Sequence, residues 1–127
     1  MRFLILIATL SATTANAQEI ISCEARTVSI NNKTMESMTY DKIYPTIIIS
    51  DSGESLSYFY TQHGMQWKHN FAIKQQNEDR LLGIENLQET TIHLFHYDKS
   101  KMIFKMFYSS GSYEHFGGEI TTGKCFN

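Results

Sequence analysis

Proline is nearly absent from this sequence: Pro45 is the only one among 127 residues. With no proline-rich or glycine-serine stretch, no low-complexity tract and no alignable repeat, nothing in the chain reads as a linker. Cysteine is almost as scarce. Cys23 and Cys125 stand alone, and the lack of a C-x-x-C pair excludes the close spacing that zinc and thiol-redox sites use. Charge of either sign is modest, 11 Lys+Arg against 13 Asp+Glu, and the cations are scattered singly. Nucleic-acid binding needs a clustered basic face, so no such partner is expected. After the first seventeen residues no apolar run approaches a membrane span, and no G-x-S-x-G elbow or comparable catalytic signature is present. These absences leave no basis for a catalytic residue, a cofactor or stable membrane insertion.

What is present begins at the N-terminus. Arg2, the apolar run Phe3 to Leu10 and the small-residue ending Ala15-Asn16-Ala17 form the pattern of a secretory signal peptide. Residues 1–17 are therefore expected to be removed, leaving 18–127 as one domain in a secreted or periplasmic location. In such an oxidising compartment Cys23 and Cys125, close to the two ends of that domain, are expected to form a disulfide. On a chain-entropy basis a loop of this size contributes roughly 4–5 kcal/mol.

Period-2 alternation dominates the rest, broken by turn residues every eight to twelve positions, the signature of an all-β antiparallel fold. Eight strands are predicted: 23–30, 44–50, 54–61, 66–75, 80–85, 90–97, 102–108 and 112–125, with 33–42 ambiguous. Pro45 suits a strand start, and Gly83 suggests a bulge or a close backbone approach. Gly117-Gly118 is read as a bend at a barrel corner. Sequential hairpins with a bridge from first strand to last predict an up-and-down meander closing into a small barrel; a two-sheet β-sandwich is the alternative.

Five histidines raise the question of a metal. His93 and His96, three apart on a strand, point to opposite faces and do not converge. Pairing either with His69 or His115 across strands lacks a carboxylate at a recognisable ligand spacing, so no metal site is expected. Glu114-His115 beside Ser110-Gly111-Ser112 fails as a hydrolytic set, because adjacent strand residues face opposite ways. The acidic residues Asp41, Asp51, Glu54, Glu78, Asp79 and Asp98 read as solvated turn charges. Asn32-Lys33-Thr34 is a glycosylation sequon of use only in a eukaryotic host.

Aromatic and methionine residues are the surplus that suggests binding. Alternation places Trp67, His69, Phe71 and Ile73 inward beside Ile47–Ile49, with Lys68, Asn70 and Lys74 outward. Tyr58, Tyr60, Trp67, His69, Phe104 and Met106 are the candidate binding surface or cavity. Residues 102–108 are apolar on both faces, and burial of both is expected over an exposed patch. The terminal cysteine pair together with Trp67-Lys68 and Ala72 resembles the periplasmic inhibitors of c-type lysozyme. That family has a Ser-Gly loop before the tryptophan and Lys-Gly after it, whereas here Ser55-Leu56-Ser57-Tyr58 holds no glycine and His69 follows Lys68; its inhibitory residues do not transfer. The expected function is a non-catalytic protein-binding or inhibitor module acting on an extracytoplasmic protein, or alternatively a lipocalin-like carrier of an apolar small molecule; an enzyme whose site is assembled from loops is the third and weakest reading.

Overall fold

The computed structural model describes residues 18–31, 33–88, 91–110 and 117–126. The expected signal peptide at 1–17, Asn32 of the sequon, and the stretch holding Glu114 and His115 lie outside the described residues. Nine strands follow in order: β1 (Glu19–Asn31), β2 (Ser37–Thr39), β3 (Thr46–Ile49), β4 (Ser55–Gln62), β5 (Met65–Gln76), β6 (Arg80–Gln88), β7 (Thr91–Asp98), β8 (Ile103–Ser110) and β9 (Gly117–Phe126). The eight predicted strands correspond one to one with β1 and β3 to β9. The ambiguous stretch supplies β2, which pairs only with β1, through Val28–Thr39, Ser29–Met38 and Ile30–Ser37.

From β3 to β9 each strand pairs antiparallel with the next, β1 pairs with β3, and β9 returns to β1 over ten residue pairs, from Ser22–Phe126 to Asn31–Gly117. The sheet is thus a closed eight-strand barrel with one extra strand, not a sandwich. β1 is long enough to serve three partners: residues 19–22 take β3, residues 28–30 take β2, and its other edge takes β9. An isolated bridge from Ala25 to Ile43 fills the interval between β2 and β3.

Turn chemistry fixes the hairpin registers. His63 and Gly64 both have positive φ, 53° and 73°, as the two-residue turn between β4 and β5 requires. Asn77 Oδ1 accepts the N–H groups of Asp79 and Arg80, and Asp98 Oδ1 those of Ser100 and Lys101, closing the β5–β6 and β7–β8 connections.

Cys23 and Cys125 are directly opposed on β1 and β9, with Cα atoms 4.0 Å apart, and form the expected disulfide. Their amides point away from each other and donate to the carbonyls of Pro45 and Met102, so the pair sits where the two strands exchange no hydrogen bonds. Around it packs the filled end of the barrel. Ile21, Ile47, Ile49, Leu56, Leu81, Phe95, Tyr97 and Phe104 are all buried there. Phe95 stacks on Phe104 with centroids 5.4 Å apart, and Phe71 lies 5.5 Å from Phe95.

Two glycines make this packing fit. A Cβ on Gly123 would stand 2.0 Å from Phe104 Cε1, so the ring occupies space that any side chain on β9 would take. A Cβ on Gly83 would come within 3.0 Å of Phe71 Cβ, which is the close approach expected there; the register shift lies on the facing strand, between Ile73 and Gln75. Gly117-Gly118 behaves differently from expectation. Both residues are paired in the opening of β9, against Ser110 and Ser109, with no corner between them.

Two other expectations are corrected. The outward row of β8 is not covered, because Phe107 is 43% exposed and its cross-strand neighbour Ile120 on β9 is 41% exposed. Phe104 is a core residue beneath the binding region, not part of its surface. The inward parity of β5 does hold: Phe71 is buried, while Lys68, Asn70 and Lys74 face solvent.

Candidate functional site

Above the aromatic layer the barrel widens into a cavity of about 310 Å³, open at the end opposite the disulfide. Side chains too small or too far apart to fill the interior leave this space: Thr27 on β1 and Thr121 on β9, joined hydroxyl to hydroxyl at 2.7 Å, take the wall that aromatic rings occupy lower down. The opposite wall holds Tyr58 and Tyr60 from β4, Trp67 and His69 from β5 and His93 from β7, with Met106 and Tyr108 contributed by β8. Five of the six candidate binding residues are therefore brought together: Tyr58, Tyr60, Trp67, His69 and Met106. Trp67 departs from its expected place in the core. It has inward parity but sits past the end of the packed interior, opposite Tyr60, and is 45% exposed at the mouth.

Tyr58 is fully buried, with its ring against Phe104 and Tyr60, and its hydroxyl has no hydrogen-bond partner among the described residues. Burial, reinforced by neighbouring Tyr60, pushes its pKa far above the usual tyrosine value, so the group is a neutral phenol. A buried hydroxyl without a partner carries a desolvation cost of about 1–3 kcal/mol. Tyr60 is also shifted upward, by burial and then by Glu119 across the cavity.

Beside Tyr58 lies a second set of polar groups that extends the site below its rim. Tyr58 pairs with His69 across β4 and β5, and Glu85 pairs with His93 across β6 and β7. The Glu85 carboxylate reaches both imidazoles: its Oε2 is 3.1 Å from His93 Nδ1 and 3.4 Å from His69 Nδ1. An ionised carboxylate only accepts, so His93 Nδ1–H is the donor in the shorter contact. His93 is enclosed by rings, with Phe71, His69 and Tyr108 at centroid distances of 4.7, 4.8 and 5.2 Å. That burial, and then the charge of His69 when protonated, holds the His93 pKa down to about 4, so the ring is neutral at pH 7. Burial raises the Glu85 pKa above the usual carboxylate value, against the opposing pull of His69 and of the Asn70 backbone N–H.

His69, which alternation places inward, both lines the cavity and finds a polar partner in Glu85. His93 and His96 point to opposite faces as expected. Glu85 was the residue that spacing along the chain did not reveal. It shares parity with Leu81 and Gly83, but the alternate row, Leu82 and Ile84, is equally apolar, so the alternation of β6 does not say which row turns inward. Among the described residues the acidic side chains at Asp51, Glu54, Glu78 and Asp79 are exposed in or beside turns, as solvated charges are. No protein-family model matches the chain, and no curated protein matches it in sequence.

Proposed function

We propose that this protein is an extracytoplasmic binding barrel that takes a small, partly apolar molecule into its open end. The observation that carries the proposal is the cavity itself, whose wall combines apolar and aromatic side chains with one buried, unpartnered phenol, Tyr58. Ligand sites are commonly concave and mostly apolar, with a few polar groups fixing orientation, and a volume of about 310 Å³ lies at the small end of their range. The ligand is therefore a compact one, with a ring or short chain against Tyr60, Trp67 and Met106 and an acceptor group for the Tyr58 hydroxyl. The disulfide is compatible with an extracytoplasmic setting, and the leader-like residues 1–17 support export.

Trp67 is the sole tryptophan and stands at the mouth, which provides an internal reporter. Titration with 1-anilinonaphthalene-8-sulfonate should quench its fluorescence saturably at one probe per chain. Met106→Trp, which fills the cavity floor, should abolish the saturable phase as read from the probe's own emission. Linear, unsaturable quenching in the unmodified protein would rule the proposal out.

A protein-interaction module is supported by a different observation. Leu94, Phe107, Ile120 and Val28 form a continuous outward row across β7, β8, β9 and β1, with Phe107 and Ile120 exposed. Contiguous apolar surface of this kind marks contact sites. Phe107→Lys with Ile120→Lys should then remove a partner captured from the exported fraction while probe binding in the cavity persists.

A further inference from the structure

His69, Glu85 and His93 come from three adjacent strands and turn to the same face, and one ligand-type atom from each lies within 4.8 Å of the other two. Ligands held about 2.0–2.1 Å from a tetrahedral zinc ion stand roughly 3.3 Å apart. The two carboxylate-to-imidazole separations, 3.1 and 3.4 Å, are already those of two edges of such a shell. The third edge, between the two imidazole nitrogens, is no longer than 4.8 Å, and a rotation about the His69 side-chain torsions is the movement that would shorten it.

We infer that His69, Glu85 and His93 bind one divalent transition-metal ion, zinc by the chemistry of the set, with the remaining coordination position open to the cavity. Two imidazole nitrogens and one carboxylate oxygen suit zinc, whereas magnesium and calcium take oxygen ligands throughout. A second observation independently points to a ligand here. Both histidines line the cavity, and Tyr58, whose fully buried hydroxyl has no partner among the described residues, lines the same space from the next strand. Three protein ligands with a free position facing a cavity is the arrangement of an open metal site, unlike the four-ligand set of a purely structural one. The ion also balances the charge of the partly buried Glu85 carboxylate.

The site goes beyond the small-molecule proposal and does not depend on it, since the three ligands are complete without an organic guest. Protein stripped with EDTA should take up one equivalent of Zn²⁺ in a competition titration, and Co²⁺ in its place should give the intense visible absorption of four-coordinate cobalt. Glu85→Gln and His69→Gln should each weaken binding by about tenfold or more. One control should leave affinity unchanged: His96→Gln, on the outward face of the strand that carries His93. If buried His93→Gln does not fold, the partly exposed His69→Gln decides the question. Failure of the unmodified protein to bind stoichiometrically, or binding indifferent to both Glu85→Gln and His69→Gln, would overturn the inference and leave the trio as a hydrogen-bonded pair of histidines around a buried carboxylate.

Discussion

The two ends of the barrel are built from the same strands but spend their side chains differently. At the disulfide end, β1 and β9 are joined by Cys23–Cys125, Gly123 makes room for Phe104, and a layer of isoleucine, leucine and phenylalanine fills the interior. Two to four residues along the same strands, the inward positions hold Thr27, Tyr58, His69, Glu85, His93 and Thr121, and the interior opens. The contrast teaches that the packed core and the proposed binding site are segregated along the barrel axis. Apolar packing at one end tolerates the desolvation costs of buried polar groups at the other.

The largest break in that comparison should come from the disulfide. Replacing Cys23 and Cys125 together by serine is expected to lower unfolding free energy by on the order of 4 kcal/mol in denaturant titrations, because the bridge spans 102 residues of sequence. Probe quenching at Trp67 in the folded fraction should survive, since the cavity lies at the far end.

Phe71 lies at the boundary between the two regions, buried against both Phe95 and His93. Phe71→Ala should cost roughly 3–5 kcal/mol, as large core truncations do. Trp67→Ala, four residues along on the same face, should cost below about 1 kcal/mol, as surface changes do. Equal costs at both positions would erase the distinction between filled end and mouth.

Acid should act on the mouth through His93. Its pKa in the folded protein is held down to about 4 from an ordinary 6.5, so the unfolded chain binds the proton more readily between those values. The His93 contribution to stability is therefore fully present above pH 6.5 and is lost as pH falls toward 4, by up to about 3 kcal/mol. Glu85 works the other way: its raised pKa means that the folded protein takes up that proton first, which offsets part of the loss. Denaturant midpoints measured in EDTA across pH 4–7 should fall toward acid, and His93→Gln should flatten the slope. A flat profile in the unmodified protein would show that His93 is solvated.

The smallest effect should have the opposite sign. Tyr58→Phe removes the buried hydroxyl that has no partner, and should stabilise the ligand-free protein by about 1 kcal/mol in thermal or denaturant unfolding. A loss of stability would mean that the hydroxyl is satisfied by an ordered water in the cavity.

Much of this architecture is legible in the sequence. Alternation and turn residues placed β1 and β3 to β9, because a side-chain period of two and a turn such as His63-Gly64 are local properties of a few neighbouring residues. The pairing of Cys23 with Cys125 was equally accessible, since only two thiols exist. The stretch now occupied by β2 carried too weak an alternation to assign, and it is held mainly by the spare edge of β1.

What the sequence by itself determined is therefore the class: an antiparallel all-β fold stapled by its two cysteines, with a surplus of aromatics on its inward rows; the pairing of β9 with β1 decided for the barrel over the two-sheet sandwich. Tertiary structure alone decided which end stays open, that Phe104 lies in the core while Trp67 stands at the rim, that Phe107 and Ile120 face outward uncovered, and that Glu85 meets His69 and His93. The physical reason is that period fixes which residues within one strand share a face, but the stagger between strands fixes their height in the barrel. Whether a given height is filled depends on the summed volumes of side chains from all eight strands, which no single stretch of the chain encodes.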